Sequence, residues 1–230
     1  MTHASPAVEE VLEQIQRLER RSRGARTKML GNRLGVSLGT ITNTLDRLEK
    51  LGLVGRERYR GTRLTSKGRK VALSVLRRHR LLERLLTDVL HIQWSKAHGI
   101  ACKLEHSVDD EVADAIEDAL AHPKTCPHGN AIPSRTGVTP SQVSTRLAEL
   151  SPNDAGILVR VLDEEEEGAL AHLDSIGLVP GAEFTVEDHV PFDGGIVLHL
   201  GKSRITVSKR AASLVAVRKT SKVRSIARRA

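Results

Sequence analysis

The chain has 230 residues, a formal net charge of +8 and only 2% aromatic residues, so aliphatic side chains must build its cores, and the length allows more than one domain. Its two cysteines, Cys102 and Cys126, exclude a disulfide framework and suit a reducing compartment where a thiol stays available to a metal. The start, MTHASPAVEE, lacks a basic n-region and an apolar h-region, and no later segment approaches a membrane span, so a cytoplasmic protein is expected.

Charge is segregated along the chain. Residues 17–80 carry 19 Lys/Arg against 4 Asp/Glu, residues 81–200 carry 7 against 21, and residues 201–230 carry 10 against none. A polyanion-binding front end and a middle suited to cations follow from that split.

Val8, Val11, Leu12, Ile15 and Leu18 recur at helical spacing. After the basic loop RRSRGART, Thr27 can cap a short helix through Leu34, which Gly35 breaks. Ser37 can cap a second helix ending near Leu51, with Gly52 closing it. That helix exposes Thr40, Thr42, Asn43 and Arg47, and LVGRERYRGTRLT reads as two strands turning near Arg60 and Gly61. Helix, turn, helix and basic wing predict a winged helix-turn-helix over residues 1–75. Asn43 is suited to bidentate pairing with adenine. Arg47, Arg58, Arg60 and Arg63 are suited to phosphates, and Thr27, Ser37, Thr40 and Thr42 complete the DNA-facing set.

A long helix is expected from Thr65 to about Leu90, with His79 and Glu83 one turn apart. The following stretch, HGIACKLEH, places His98, Cys102, Glu105 and His106 at offsets that share one helical face. A core stripe is the plain alternative, but two imidazoles, a thiol and a carboxylate are costly to bury unpaired, so a metal site is the better reading. Ser107 with Asp110 can cap a third helix, SVDDEVADAIEDAL. In the turn AHPKTCPHGNAIP, Cys126 and His128 invite a zinc reading, yet Cys-Pro-His lacks the paired spacing of a structural zinc site, and a loop valued for its shape is preferred. Residues 76–134 thus form a helical domain carrying the candidate metal ligands, and the polar residues 135–150 a flexible linker. From Ser151 the runs ILVRVL, FTVEDHV, GIVLHL, RITVS and SLVAVR, with one helical turn in LAHLDSIGLVPGAEF, predict a small β-barrel over residues 151–217. A basic tail, residues 218–230, follows.

The winged front end, the run RRHRLLERLLTDVL, the stretch HGIACKLEH and the loop CPHGNAIP together resemble the DtxR/MntR family of metal-dependent transcriptional repressors. The resemblance extends to the carboxy-terminal SH3-like domain, which is similar to ferrous-transport accessory domains. It implies a mainly α fold with a small β domain: winged helix, helical dimerisation domain and SH3-like barrel. It also implies Mn(II) or Fe(II) at two sites per subunit, a homodimer, palindromic double-stranded operator DNA, and no membrane partner. By motif, Cys102, Glu105 and His106 with Glu10 correspond to the primary metal site. His79, Glu83 and His98 correspond to the ancillary site, which Glu164 and Glu167 complete in the β domain.

Two departures bear on the metal. Iron-responsive members commonly carry methionine where this chain has Glu10, and manganese-responsive ones commonly carry aspartate there and glutamate in place of Cys102. Loss of the soft ligand from the first helix favours Mn(II) slightly, with Fe(II) as the alternative. In the recognition helix Asn43 replaces a glutamine and Gly39 a proline, so the operator is expected to differ. The expected function is a metal-dependent repressor of metal-homeostasis genes and not an enzyme. A metallohydrolase is the rival class, but the chain carries no zincin or deaminase signature and would leave its winged helix without a purpose. A third reading, a DNA-binding protein whose metal cluster is merely structural, is separated from the first by whether chelator changes DNA affinity.

Overall fold

The computed structural model describes residues 5–19, 24–57, 61–166, 168–192 and 194–220, and these form two compact units. One holds the described residues of Met1–Leu82, Ala101–His122 and Ile132–Pro140, the other those of Glu83–Ile100, Pro123–Ala131 and Ser141–Ala230. Among the described residues, no helix is long and apolar enough to cross a membrane.

The first unit opens with α1 (Pro6–Glu19), α2 (Thr27–Leu34) and α3 (Leu38–Lys50), then the antiparallel hairpin of β1 (Val54–Glu57) and β2 (Gly61–Leu64). The stripe Val8, Val11, Leu12, Ile15 and Leu18 of α1 packs into one core with Leu30 of α2, Ile41, Leu45 and Leu48 of α3, and Leu64 of β2. Gly35 ends α2 at φ 63° with its N–H on the Gly31 carbonyl, a left-handed turn that glycine enters without steric cost. Ser37 caps α3, its Oγ accepting from the Thr40 N–H at 3.1 Å. Thr27 does not cap α2: Arg26 holds the cap position without a side-chain bond and Thr27 is already helical. The turn of the wing, with Arg58 and Arg60, lies outside the described residues.

The long helix expected from Thr65 is α4 (Ser66–Arg84), continued by a π-helical turn over Leu85–Val89. Such widened turns are rare and concentrate at functional sites; this one begins two residues after Glu83. Next come α5 (Trp94–Leu104), a 3-10 turn over Glu105–Ser107, and α6 (Asp110–Ala119). The cap of α6 is Asp109, accepting from the Val112 N–H at 2.8 Å, and not Ser107. Both α4 and α5 contribute residues to both units.

In the second unit β3 (Thr145–Arg146), β4 (Ala155–Val161), β5 (Glu183–His189), β6 (Ile196–Leu200), β7 (Ser203–Val207) and β8 (Val215–Thr220) form an antiparallel sheet in the order β3-β8-β4-β5-β6-β7. Two short helices accompany it, α7 (Ala169–Ser175) and α8 (Lys209–Ser213). Five of the strands are the β-branched runs of the sequence, and alternate residues such as Leu158, Phe184, Val186, Leu198 and Val217 fill the core. The expected linker ends early. Leu147 and Leu150 are buried in this core, and residues 147–149 form a 3-10 turn; the scattered apolar residues of this polar run show no period that would have revealed it.

Candidate metal centre

Within the first unit, α1 delivers Glu9, Glu10 and Glu13, α4 delivers Arg78 and His79, and the 3-10 turn after α5 delivers Glu105 and His106. Ligand atoms of Glu10, Glu105 and His106 all lie within 4.8 Å of one another. His106 Nε2 is 3.2 Å from Glu10 Oε2 and 3.5 Å from Glu105 Oε1, while its Nδ1 is 2.9 Å from Glu9 Oε2. The buried Arg78 donates to that same Glu9 oxygen at 2.7 Å. His79 Nδ1 lies 2.6 Å from Glu105 Oε2, and Arg17 donates to Glu13 Oε1 at 2.7 Å.

These contacts set the protonation states. Hydrogen bonds to Glu10 and then Glu9 push His106 up to about 10, against the effect of burial. Burial alone would raise the Glu9 carboxyl, but hydrogen bonds from His106 and Arg78 outweigh it and hold the group below its ordinary value. Burial raises Glu105, with His79 opposing and the Glu13 charge adding to the rise. An imidazolium thus sits between carboxylates, a place that favours positive charge, and the donor set of two carboxylates and an imidazole fits a first-row divalent cation. Of the four expected primary ligands the structure brings three together in this group; Cys102, one turn earlier on α5, is not among the side chains that share it. Glu9, Glu13, Arg17 and Arg78 were not anticipated. Glu9, Glu13 and Gln16 form a second buried stripe of α1 beside the apolar one, a burial that only the fold reveals.

Within the second unit, a second group consists of Glu83, Cys126, His128 and Glu164, all buried, with ligand atoms within 4.8 Å of one another. Glu83 Oε1 is 3.1 Å from His128 Nδ1 and 3.2 Å from His98 Nδ1. Glu164 reaches His98 at 3.9 Å, His128 at 3.8 Å and the Cys126 sulfur at 3.7 Å. His128 Nε2 donates to the Trp94 carbonyl at 3.2 Å, which fixes the ring and leaves Nδ1 facing the carboxylates. Burial opposes the charged form of His128, but the Glu83 and Glu164 charges prevail and raise its pKa. The Trp94 ring covers the imidazole at a centroid distance of 4.9 Å, and its Nε1 donates to the Pro127 carbonyl at 2.9 Å. Glu83, His98 and Glu164 of the expected ancillary set therefore meet, while Glu167 lies outside the described residues. The loop read as a mere shape supplies two donors, Cys126 and His128. Spacing rules for zinc could not reveal them, because their partners come from α4 and from the segment after β4.

The helix expected to face DNA is α3. Thr40, Thr42, Asn43 and Arg47 are exposed on it, as is Ser37, and Thr27 is half-buried. The Thr42 hydroxyl donates to the Leu38 carbonyl at 2.7 Å, so its proton is used within the helix and its oxygen can still accept. Arg56 of β1 bonds Asp46 of α3 and lies 3.6 Å from Glu49, bracing wing to recognition helix, and Arg63 lies 3.4 Å from Glu57.

A winged helix, a cluster of two carboxylates and an imidazole at its first helix, and an SH3-like β domain are the features expected of a metal-dependent transcription regulator. Three family models agree along the chain: the iron-dependent repressor N-terminal DNA-binding domain over residues 3–62, the iron-dependent repressor metal-binding and dimerisation domain over 65–134, and the FeoA domain over 145–219. The iron-dependent repressor IdeR of Mycobacterium tuberculosis is 34% identical over 201 residues, covering 83% of this chain and 87% of that protein. The diphtheria toxin repressor of Corynebacterium jeikeium is 30% identical over 213 residues, with the same coverage of 83% and 87%. Among solved structures, a manganese-dependent transcriptional repressor in complex with manganese superposes with a TM-score of 0.84 at 29% identity, over 93% of this chain and 100% of that one. The chain belongs to the iron-dependent repressor family of metal-dependent transcriptional regulators.

Proposed function

We propose that the protein is a Mn(II)- or Fe(II)-responsive repressor that binds palindromic operator DNA as a homodimer and carries two metal sites per subunit. The first site uses Glu10, Glu105 and His106, with Cys102 one helical turn away; the second uses Glu83, Cys126, His128 and Glu164, with His98 beside them. The observation that carries this reading is the meeting of Glu10 from the first helix with Glu105 and His106 from a segment some ninety-five residues later. A bound divalent cation would supply the positive charge that these carboxylates otherwise draw from protonated imidazole. Glu10 then ties α1 to the turn after α5, and α1 shares its core with α3, so the order of the site reaches the recognition helix. Glu9 and Arg78 hold His106 with Nε2 toward the cation position, and the Trp94 carbonyl holds His128 with Nδ1 toward it.

Mn(II) is favoured over Fe(II) because Glu10 puts a hard oxygen in the first site, where Cys102 is displaced from the group. Repression, in a protein that acts in the cytoplasm and catalyses no reaction, fits the relatives, which are named as repressors. The test is operator binding of the full chain in chelator, Mn(II) and Fe(II). Affinity should rise with either metal, more with Mn(II), and His106→Ala should abolish the rise. Equal binding in chelator and in metal would sink the proposal.

A further inference from the structure

The second metal group depends on a loop without regular secondary structure, so something must hold its backbone. Gly129, between His128 and Asn130, has φ +84°, and a Cβ there would lie 1.9 Å from the Val159 carbonyl oxygen; the loop backbone thus lies directly on β4. The Val161 N–H donates to the His128 carbonyl at 2.9 Å. Asn130 Nδ2 donates to the Val161 carbonyl at 2.8 Å and to Glu164 Oε1 at 2.5 Å, touching one expected ligand directly. The peptides on both sides of Asn130 are held by one side chain. Gln142 Nε2 donates to the Gly129 carbonyl at 3.0 Å, and Gln142 Oε1 accepts from the Ala131 N–H at 3.1 Å. Arg160 of β4 locks that amide, donating to Gln142 Oε1 at 3.1 Å, to the Gln142 carbonyl at 2.9 Å and to Ser144 Oγ at 3.2 Å.

We infer that Gln142 is a positioning residue for the second metal site: its carboxamide, oriented by Arg160, clasps the loop that carries Cys126, His128 and Asn130. This rests on the metal reading of that site. The chemistry favours a carboxamide, because one end must donate to a carbonyl while the other accepts two N–H groups. Gln142 is only half-buried, so its loss removes the clasp without opening the core. Without it, Asn130 and the loop can move relative to Glu164 and Glu83, and the donors no longer converge before a cation arrives.

Trp94 is the only tryptophan of the chain, and its contact with His128 makes its fluorescence specific for this site. The experiment titrates Co(II) into the full-length metal-free parent, Gln142→Leu and Gln142→Glu, reading Trp94 quenching and the Co(II) absorption spectrum, with calorimetry to count the other site. Gln142→Leu should bind Co(II) at the Trp94-reported site about ten- to a hundredfold more weakly, the scale of outer-shell losses at metal sites. Its saturated spectrum should differ from that of the parent, a change that a purely stabilising role would not produce. Gln142→Glu keeps the acceptor and loses the donor, so it should fall between the two, and affinity at the first site should be unchanged in both. Parental midpoint and spectrum in Gln142→Leu would overturn the inference while leaving the site intact. A parent whose Trp94 fails to respond to Co(II) would overturn the metal reading of the site itself.

Discussion

His106 is the side chain whose state reports the first site. Its pKa in the metal-free protein is about 10 against an ordinary 6.5, so the folded state binds the proton more tightly than the unfolded chain. The stability this supplies is full below about pH 6.5 and disappears as pH rises through 10. Metal-free parent protein should therefore lose thermal stability between pH 7 and 10 more steeply than His106→Gln, as melting curves across that range will show; parallel slopes would contradict it. A cation taken up through His106 Nε2 must displace that proton. Near pH 7.5 about one proton per cation should leave this residue, read as the dependence of calorimetric heats on the buffer's ionisation enthalpy. Gly129 makes the same point in steric form. With φ +84° and the Val159 oxygen 1.9 Å from a virtual Cβ, Gly129→Ala should lower stability by more than the ~1 kcal/mol ordinary for glycine replacement at a left-handed position and weaken binding at the Trp94-reported site.

Among the elements, α1 serves two cores at once. One face packs Leu12 and Ile15, both fully buried, against α2 and α3. The adjoining face carries Glu9, Glu10 and Glu13 into the polar cluster. Ile15→Ala should cost about 2–5 kcal/mol in denaturant unfolding, and Glu10→Gln should lower the stability of the metal-free protein at neutral pH, because Glu10 is the first support of the His106 charge, while reducing metal-dependent operator affinity by roughly one to two decades. For α3, Asn43 is exposed and carries the carboxamide, whereas the Thr42 hydroxyl is bonded within the helix. Asn43→Ala should cost about 1–3 kcal/mol on operator DNA and nothing on random duplex, measured side by side; equal losses on both would mean that Asn43 does not read bases.

At the level of the whole molecule, charge and symmetry govern DNA binding. The basic excess of residues 17–80 against the acidic excess of residues 81–200 should direct duplex toward the winged helix and cations toward the middle of the chain. A homodimer should occupy two half-sites about one helical turn, or a multiple of it, apart. Footprinting on operators with altered spacing tests this: insertion of about half a turn between half-sites should remove specific binding, while the salt-dependent binding to random DNA persists.

The winged helix, the long fourth helix, the β-branched strands and many side chains of the two candidate clusters were legible in the sequence because each rests on a local rule: apolar spacing, a capping serine, charge, or a motif of nine residues. Pairings across long sequence separation were not legible. Nothing local singled out Glu9 and Glu13, which Arg78, His79 and Glu105 enclose only in the fold. Cys126 and His128 read as a turn until α4 and the segment after β4 brought Glu83 and Glu164 within ligand distance, and Gln142 read as linker until its amide met the loop backbone. The sequence by itself determined which residues could form helices and strands, where charge accumulates and which side chains can bind a cation, since these depend on spacing and residue chemistry. Only the tertiary structure decided which donors share a centre, which nitrogen of each histidine faces it and what holds the loop in place. Those depend on directions and distances between segments that no local pattern encodes.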